Sequence, residues 1–128
     1  MHARPSLATD RYTPDTATRQ AAFHADIVRE VAEAVARDTV VVVGMKTNPH
    51  VKSVRAALKD AGIAFTYLEY GGYLSMWKQR LAIKMWSGWP TFPQVFISGV
   101  LVGGGDDCAE RVRSGELAKW IAEGPPRA

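Results

Sequence analysis

The sequence has 128 residues, 47% hydrophobic, 23% charged and 9% aromatic, a mixture that one domain can bury in one core and that excludes a mainly disordered chain. Sixteen Lys and Arg against thirteen Asp and Glu leave a formal net charge of +3, too weak a bias to point to nucleic acid. No apolar run approaches the ~18 residues that cross a bilayer, and the first residues lack the apolar stretch of a signal peptide. The single cysteine, Cys108, excludes an intrachain disulfide, a Cys-x-x-Cys pair and a cysteine-rich metal site. The expectation is a soluble, cytoplasmic protein of a reducing compartment.

In chain order, residues 1–18 are polar and carry two prolines, as a flexible arm would. A mitochondrial transit peptide is the alternative, against which Asp10 and Asp15 count. Residues 19–124 then form the domain, and 125–128 a short tail. Phe23, Ile27, Val31, Ala34 and Val35 recur at helical spacing and predict one amphipathic helix over 20–37. Residues 39–43 are β-branched and apolar without alternation, the pattern of a central strand covered on both faces. After a polar turn, Pro49 suits the first position of a helix capped by Asn48 or Thr47. Val51, Val54, Leu58 and Ala61 form the apolar stripe of that helix, and Gly62 stands at its end.

Residues 63–70 alternate and predict a second strand, and 74–85 have helical spacing with basic residues on the other side. Short strands over 93–97 and 100–102 flank the turn Ser98-Gly99. Residues 106–121 predict a closing helix, started by Gly103-Gly104-Gly105 and two acidic residues. This order gives an α/β domain, a mixed four-stranded sheet flanked by helices with an extra N-terminal helix.

Three stretches carry more than fold order. Trp89-Pro90-Thr91-Phe92-Pro93-Gln94-Val95-Phe96-Ile97 leads to Gly99 and then Gly103-Gly104-Gly105-Asp106-Asp107, with Ser114-Gly115-Glu116-Leu117 beyond. Together they resemble glutaredoxins of the thioredoxin fold, particularly the monothiol branch with its Trp-Pro-Thr-x-Pro-Gln segment, over about residues 22–121. The resemblance implies a thioredoxin-like fold, a cis Pro93, and a groove for glutathione. In it, Thr91, Phe92 and Pro93 would meet the cysteinyl part, and Gly105 and Asp106 the γ-glutamyl end. Lys46 and Arg80, with Lys84 beside them, would meet the glycyl carboxylate.

The departure is equally specific. Where the family has Cys-Pro-Tyr-Cys or Cys-Gly-Phe-Ser, this chain reads Asn48-Pro49-His50-Val51. An asparagine amide cannot attack a disulfide and is a poor substitute for the thiolate that holds the family's iron–sulfur cluster. Asn48 and Val51 therefore occupy the two cysteine positions, and no catalytic residue is expected. The reading is a non-catalytic module that binds glutathione or a protein partner through the inherited groove. It has no tightly bound cofactor, no metal and no [2Fe–2S] cluster, and binds neither nucleic acid nor membrane, as a monomer or weak dimer.

Two alternatives stay open. One is thiol–disulfide chemistry and redox homeostasis through Cys108, whose place in the first turn of a helix would lower a thiol pKa, against burial as a small apolar residue. The other is a structural or dimerisation role for the crowded Tyr70, Tyr73, Met76, Trp77, Met85, Trp86 and Trp89, against simple packing. His50 is either an acid–base group or metal ligand, or an ordinary first-turn residue.

Overall fold

The computed structural model describes residues 3–128; Met1 and His2, the start of the expected arm, lie outside the described residues. Four consecutive valines make β1 (Val40–Gly44) the central strand, buried throughout. Val41 and Val43 belong to one apolar cluster and Val40 and Val42 to another, which is why this strand needs no polar alternation. β2 (Thr66–Glu69) pairs with it in parallel and β3 (Gln94–Ile97) antiparallel. β4 (Val100–Gly103) runs antiparallel to β3, giving the order β2-β1-β3-β4. Ser98 and Gly99 both have positive φ (48° and 81°), the geometry of a tight hairpin whose twist matches its strands.

Helices cover both faces. α2 (Ala25–Arg37) and α4 (Trp77–Ser87) send Val31, Ala34, Val35 and Ile83 into the first cluster, with Phe96 from β3. α3 (Pro49–Asp60), α5 (Gly105–Ser114) and α6 (Glu116–Glu123) supply Val54, Leu58, Val112 and Leu117 to the second. Leu58 is fully buried there, and its truncation to alanine would cost about 2–5 kcal/mol. The Tyr70 hydroxyl donates to Glu30, tying the end of β2 to α2.

Several boundaries differ from the sequence reading. The single helix over 20–37 is two, α1 (Pro14–Ala22) and α2, separated at His24 in the left-handed conformation (φ 45°). α1 begins inside the stretch read as an arm, because Thr13 accepts from the Thr16 N–H, Pro14 needs no partner at the first position, and Asp15 favours a helix start. It buries no residue, so no apolar period announced it. The strand over 63–70 shrinks to Thr66–Glu69, since the Ile63 N–H is spent on the Leu58 carbonyl closing α3. The third helix starts at Trp77, after a loop over 71–75, rather than at 74. The closing helix over 106–121 is α5 and α6, divided at Gly115, whose φ of 87° breaks the helical path.

Candidate functional site

The site is built where the N-termini of α3 and α5 meet the segment before β3. At α3, Asn48 is extended, and its side-chain oxygen accepts from the His50 N–H (2.9 Å) and the Val51 N–H (3.2 Å). Pro49 has no N–H, and the Lys52 N–H bonds the Asn48 carbonyl. The donors of this helix end are therefore already satisfied within the chain. Val51, in the other cysteine position of the resemblance, is 1% exposed and packed in the core.

The opposite end contrasts with it. α5 starts after Gly104 with no side-chain cap, so its first N–H groups face outward without a partner from the cap. A Cβ at position 104 would collide with the Pro93 carbonyl oxygen, so only glycine lets the turn approach the Phe92–Pro93 segment this closely. The Phe92–Pro93 peptide is cis, as the resemblance implied.

Between the two helix ends lies a cavity of about 280 Å³. His50 borders it from α3, Thr91 and Phe92 from the segment before β3, and residues 104–107 from α5. His50 Nδ1 and Asp106 Oδ1 stand 3.3 Å apart across its mouth. Of the expected ligand contacts, the structure thus brings Thr91, Phe92, Gly105 and Asp106 together at one cavity, whereas Pro93, next to Phe92 in the chain, is buried and does not line it. Lys84 places its ammonium 5.7 Å from the centre of the Phe92 ring.

Lys46 and Arg80 do not line this cavity. Lys46 is exposed, and its main-chain N–H donates to the Gly71 carbonyl at 2.7 Å. Arg80, expected to face a ligand, is instead buried, its NH1 donating to the Tyr70 carbonyl (2.9 Å) and the Ser75 carbonyl (2.6 Å). It thereby holds the loop against which Lys46 is anchored. The sequence reading gave no role to one supporting residue. Gln94, fully buried, donates from Nε2 to the Trp89 carbonyl and braces the segment that carries Thr91 and Phe92. Asp107, the last residue of the glycine–aspartate turn singled out in the sequence, lines the cavity beside Asp106.

Cys108 is 1% exposed in the second cluster, and burial pushes its thiol up to about 11, with Asp107 adding to the rise and Arg111 opposing it. The thiolate fraction at neutral pH is then on the order of 10⁻⁴. Of the two readings of this thiol, burial as a small apolar residue is borne out and the helix-lowered thiol is not.

A β2-β1-β3-β4 sheet with a cis-proline turn facing the first core helix places the protein in the thioredoxin class of folds. Comparison with known proteins narrows the class. The glutaredoxin family model matches residues 40–102. A glutaredoxin-like protein of Dictyostelium discoideum is 52% identical over 95 residues, which cover 74% of this chain and 77% of that protein. The chain therefore belongs to the glutaredoxin family. Oxidized glutaredoxin 2 from Chlamydomonas reinhardtii superposes with a TM-score of 0.67 at 28% identity, covering 79% of this chain and 95% of that one. A buckwheat glutaredoxin–glutathione complex superposes with a TM-score of 0.66 at 22% identity, covering 80% and 94% respectively.

Proposed function

We propose that this glutaredoxin-family chain binds glutathione, or an equivalent segment of a protein partner, in the cavity between α3 and α5, and does so without carrying out thiol–disulfide exchange. The observation that carries the reading is the chemistry at position 48: an amide in place of the family's thiolate, its oxygen already committed to two main-chain N–H groups. The one thiol, Cys108, is buried and protonated. An attacking thiolate is thus missing from the cavity, while the groups that hold a peptide-like ligand remain. The donor set also does not fit an iron–sulfur cluster, which needs a soft thiolate.

Each end of glutathione has a matching group. The γ-glutamyl end carries both a carboxylate and an ammonium; the uncapped N–H groups of α5 suit the first and Asp106 the second. The main chain at Phe92 pairs with the extended cysteinyl part, and Lys46 meets the glycyl carboxylate. Arg80 is a positioning residue, acting through the loop that anchors Lys46. The buckwheat protein of the same fold, solved with glutathione, adds to the choice of ligand.

An NMR titration with reduced glutathione tests the reading. Saturable shifts at His50, Phe92, Gly105 and Asp106, without disulfide-reductase turnover, are expected. No shifts at millimolar glutathione would remove the ligand, and turnover that disappears in Cys108→Ala would remove the non-catalytic role.

A further inference from the structure

Two clefts adjoin along the C-terminal half of α4, and Met85 and Gln20 line both. The first, about 450 Å³, lies between α4 and the corner joining α1 to α2, with Phe23, Trp86 and Arg29 in its walls. The second, about 460 Å³, lies towards Trp89 and Pro90, with Lys84 and Arg4. Neither shares a lining residue with the cavity between α3 and α5. Met85 is 53% exposed, and Trp77 (60%) and Leu81 (40%) precede it at four-residue steps, so an apolar stripe runs along the helix into the clefts. Contiguous apolar surface of this kind marks a binding face more often than chance exposure does.

The charged side chains that line the clefts have one sign. Arg4, Arg29 and Lys84 line the clefts, no carboxylate does, and none of the three is in an ion pair among the described residues. The sequence from 70 to 105 contains no Asp or Glu at all. We propose that these clefts dock an acidic peptide segment of a protein partner, which seats a bulky apolar side chain on either side of Met85 and sets carboxylates against Arg29, Arg4 and Lys84. Complementary charge of this kind steers encounter and fixes register, while buried apolar anchors supply affinity.

The same charges argue against the other occupants. A second copy packed face to face would bring Arg29 and Lys84 towards their own equivalents, since a two-fold interface matches like with like. A lipid surface is planar, whereas concave clefts of this size admit side chains.

The test is selection from a random 12-residue peptide library displayed on phage, with wild-type protein as bait. Enriched peptides are expected to carry Asp or Glu beside Phe, Trp or Leu. Synthesised, they should bind at least tenfold more weakly to Met85→Glu and to Arg29→Glu, both at exposed positions, and unchanged to Lys52→Glu on α3. If Met85→Glu fails to fold, Arg29→Glu reads the same face. The proposal is overturned if no peptide is enriched, if enriched peptides lack acidic residues, or if they bind undiminished to Arg29→Glu. It is overturned equally by a wild-type dimer, or by flotation with phosphatidylserine vesicles, that Met85→Glu abolishes. Glutathione binding enters none of these readouts, so the two proposals stand or fall separately.

Discussion

His50 Nδ1 lies 3.3 Å from Asp106 Oδ1, joining the first turn of α3 to the first turn of α5 across 56 residues of sequence. The side chains are 55% and 78% exposed, so this pair contributes on the order of 0–1 kcal/mol and does not hold the helices together. Leu58 and Val112, buried between the same helices and the sheet, do that. The contact instead marks where the Asp106 carboxylate stands, beside His50 at the cavity. Asp106→Asn should therefore leave the urea midpoint almost unchanged while weakening glutathione about tenfold, because the ligand ammonium loses its partner. Equal affinity for both proteins would remove Asp106 from the binding site.

Arg80 acts through structure rather than contact. Its guanidinium satisfies two main-chain carbonyls in a buried place, and burial alone lowers its pKa. Arg80→Met keeps the volume but strands both carbonyls, at a cost of about 2–4 kcal/mol. Hydrogen exchange over residues 71–75 should quicken, and affinity for glutathione should fall as Lys46 loses its anchor. Arg80→Lys, with a compact ammonium in place of the planar fork, should recover only part of the stability. Lost affinity with unchanged stability and exchange would instead mean a direct ligand contact.

The tight approach at Gly104 gives a local test. Gly104→Ala must displace either the turn or the Pro93 carbonyl, and should cost about 2–4 kcal/mol and abolish glutathione binding. Gly105→Ala meets open space but forces alanine to a φ of +64°, so about 1 kcal/mol is expected. Similar urea midpoints for the two variants would contradict the collision at 104.

Cys108 links stability to alkaline pH. Its thiol titrates near 9 in the unfolded chain and about 11 in the folded protein, so the unfolded state loses its proton first. The stability it contributes is complete below pH 9 and falls as pH rises to 11, by at most about 3 kcal/mol. Urea unfolding at pH 8 and pH 10.5 should show a smaller loss for Cys108→Ala than for the wild type. Thiol reagents should modify Cys108 quickly only in denaturant.

The central strand and the hairpin were legible because each rests on local chemistry, a valine run and Ser98-Gly99, whereas the cis-proline turn was legible only through the resemblance of residues 89–97 to glutaredoxins. The helix breaks were not. Phe23 and Ile27 keep the helical period across His24, and Val112 and Leu117 keep apolar residues on both sides of Gly115, so one left-handed residue leaves periodicity intact. Arg80 failed for a different reason, and at Cys108 the reading of a buried small residue held while that of a helix-lowered thiol did not. Sequence displays a charge or a thiol, but burial depends on which helix face turns inward. At Cys108 the helix end is worth about 0.3–1 kcal/mol, and desolvation outweighs it by raising the thiol about two pKa units, roughly 3 kcal/mol. The His50–Asp106 contact spans two elements and no sequence spacing foretells it.

Asn48→Cys, made in a Cys108→Ala background, puts a thiol at position 48 and so tests the rest of the groove by itself. The substitution removes the cap on the His50 and Val51 N–H groups and should cost about 1 kcal/mol. Those freed donors and the helix dipole then stabilise a thiolate, holding the new thiol below the ordinary ~8.5. The new sulfur would stand at the N-terminus of α3, two residues before His50, which borders the cavity with Phe92 and Asp106. Oxidised glutathione held there should be attacked by the thiolate, forming a mixed disulfide with the protein and releasing one reduced glutathione, seen as a mass gain of one glutathionyl group. Asp106→Asn in the same background should slow that reaction without changing thiol reactivity towards iodoacetamide. If Asn48→Cys folds and reacts with iodoacetamide but takes up glutathione no faster than an unstructured cysteine peptide, the groove has no affinity for glutathione, and a partner-binding scaffold becomes the better reading of the chain.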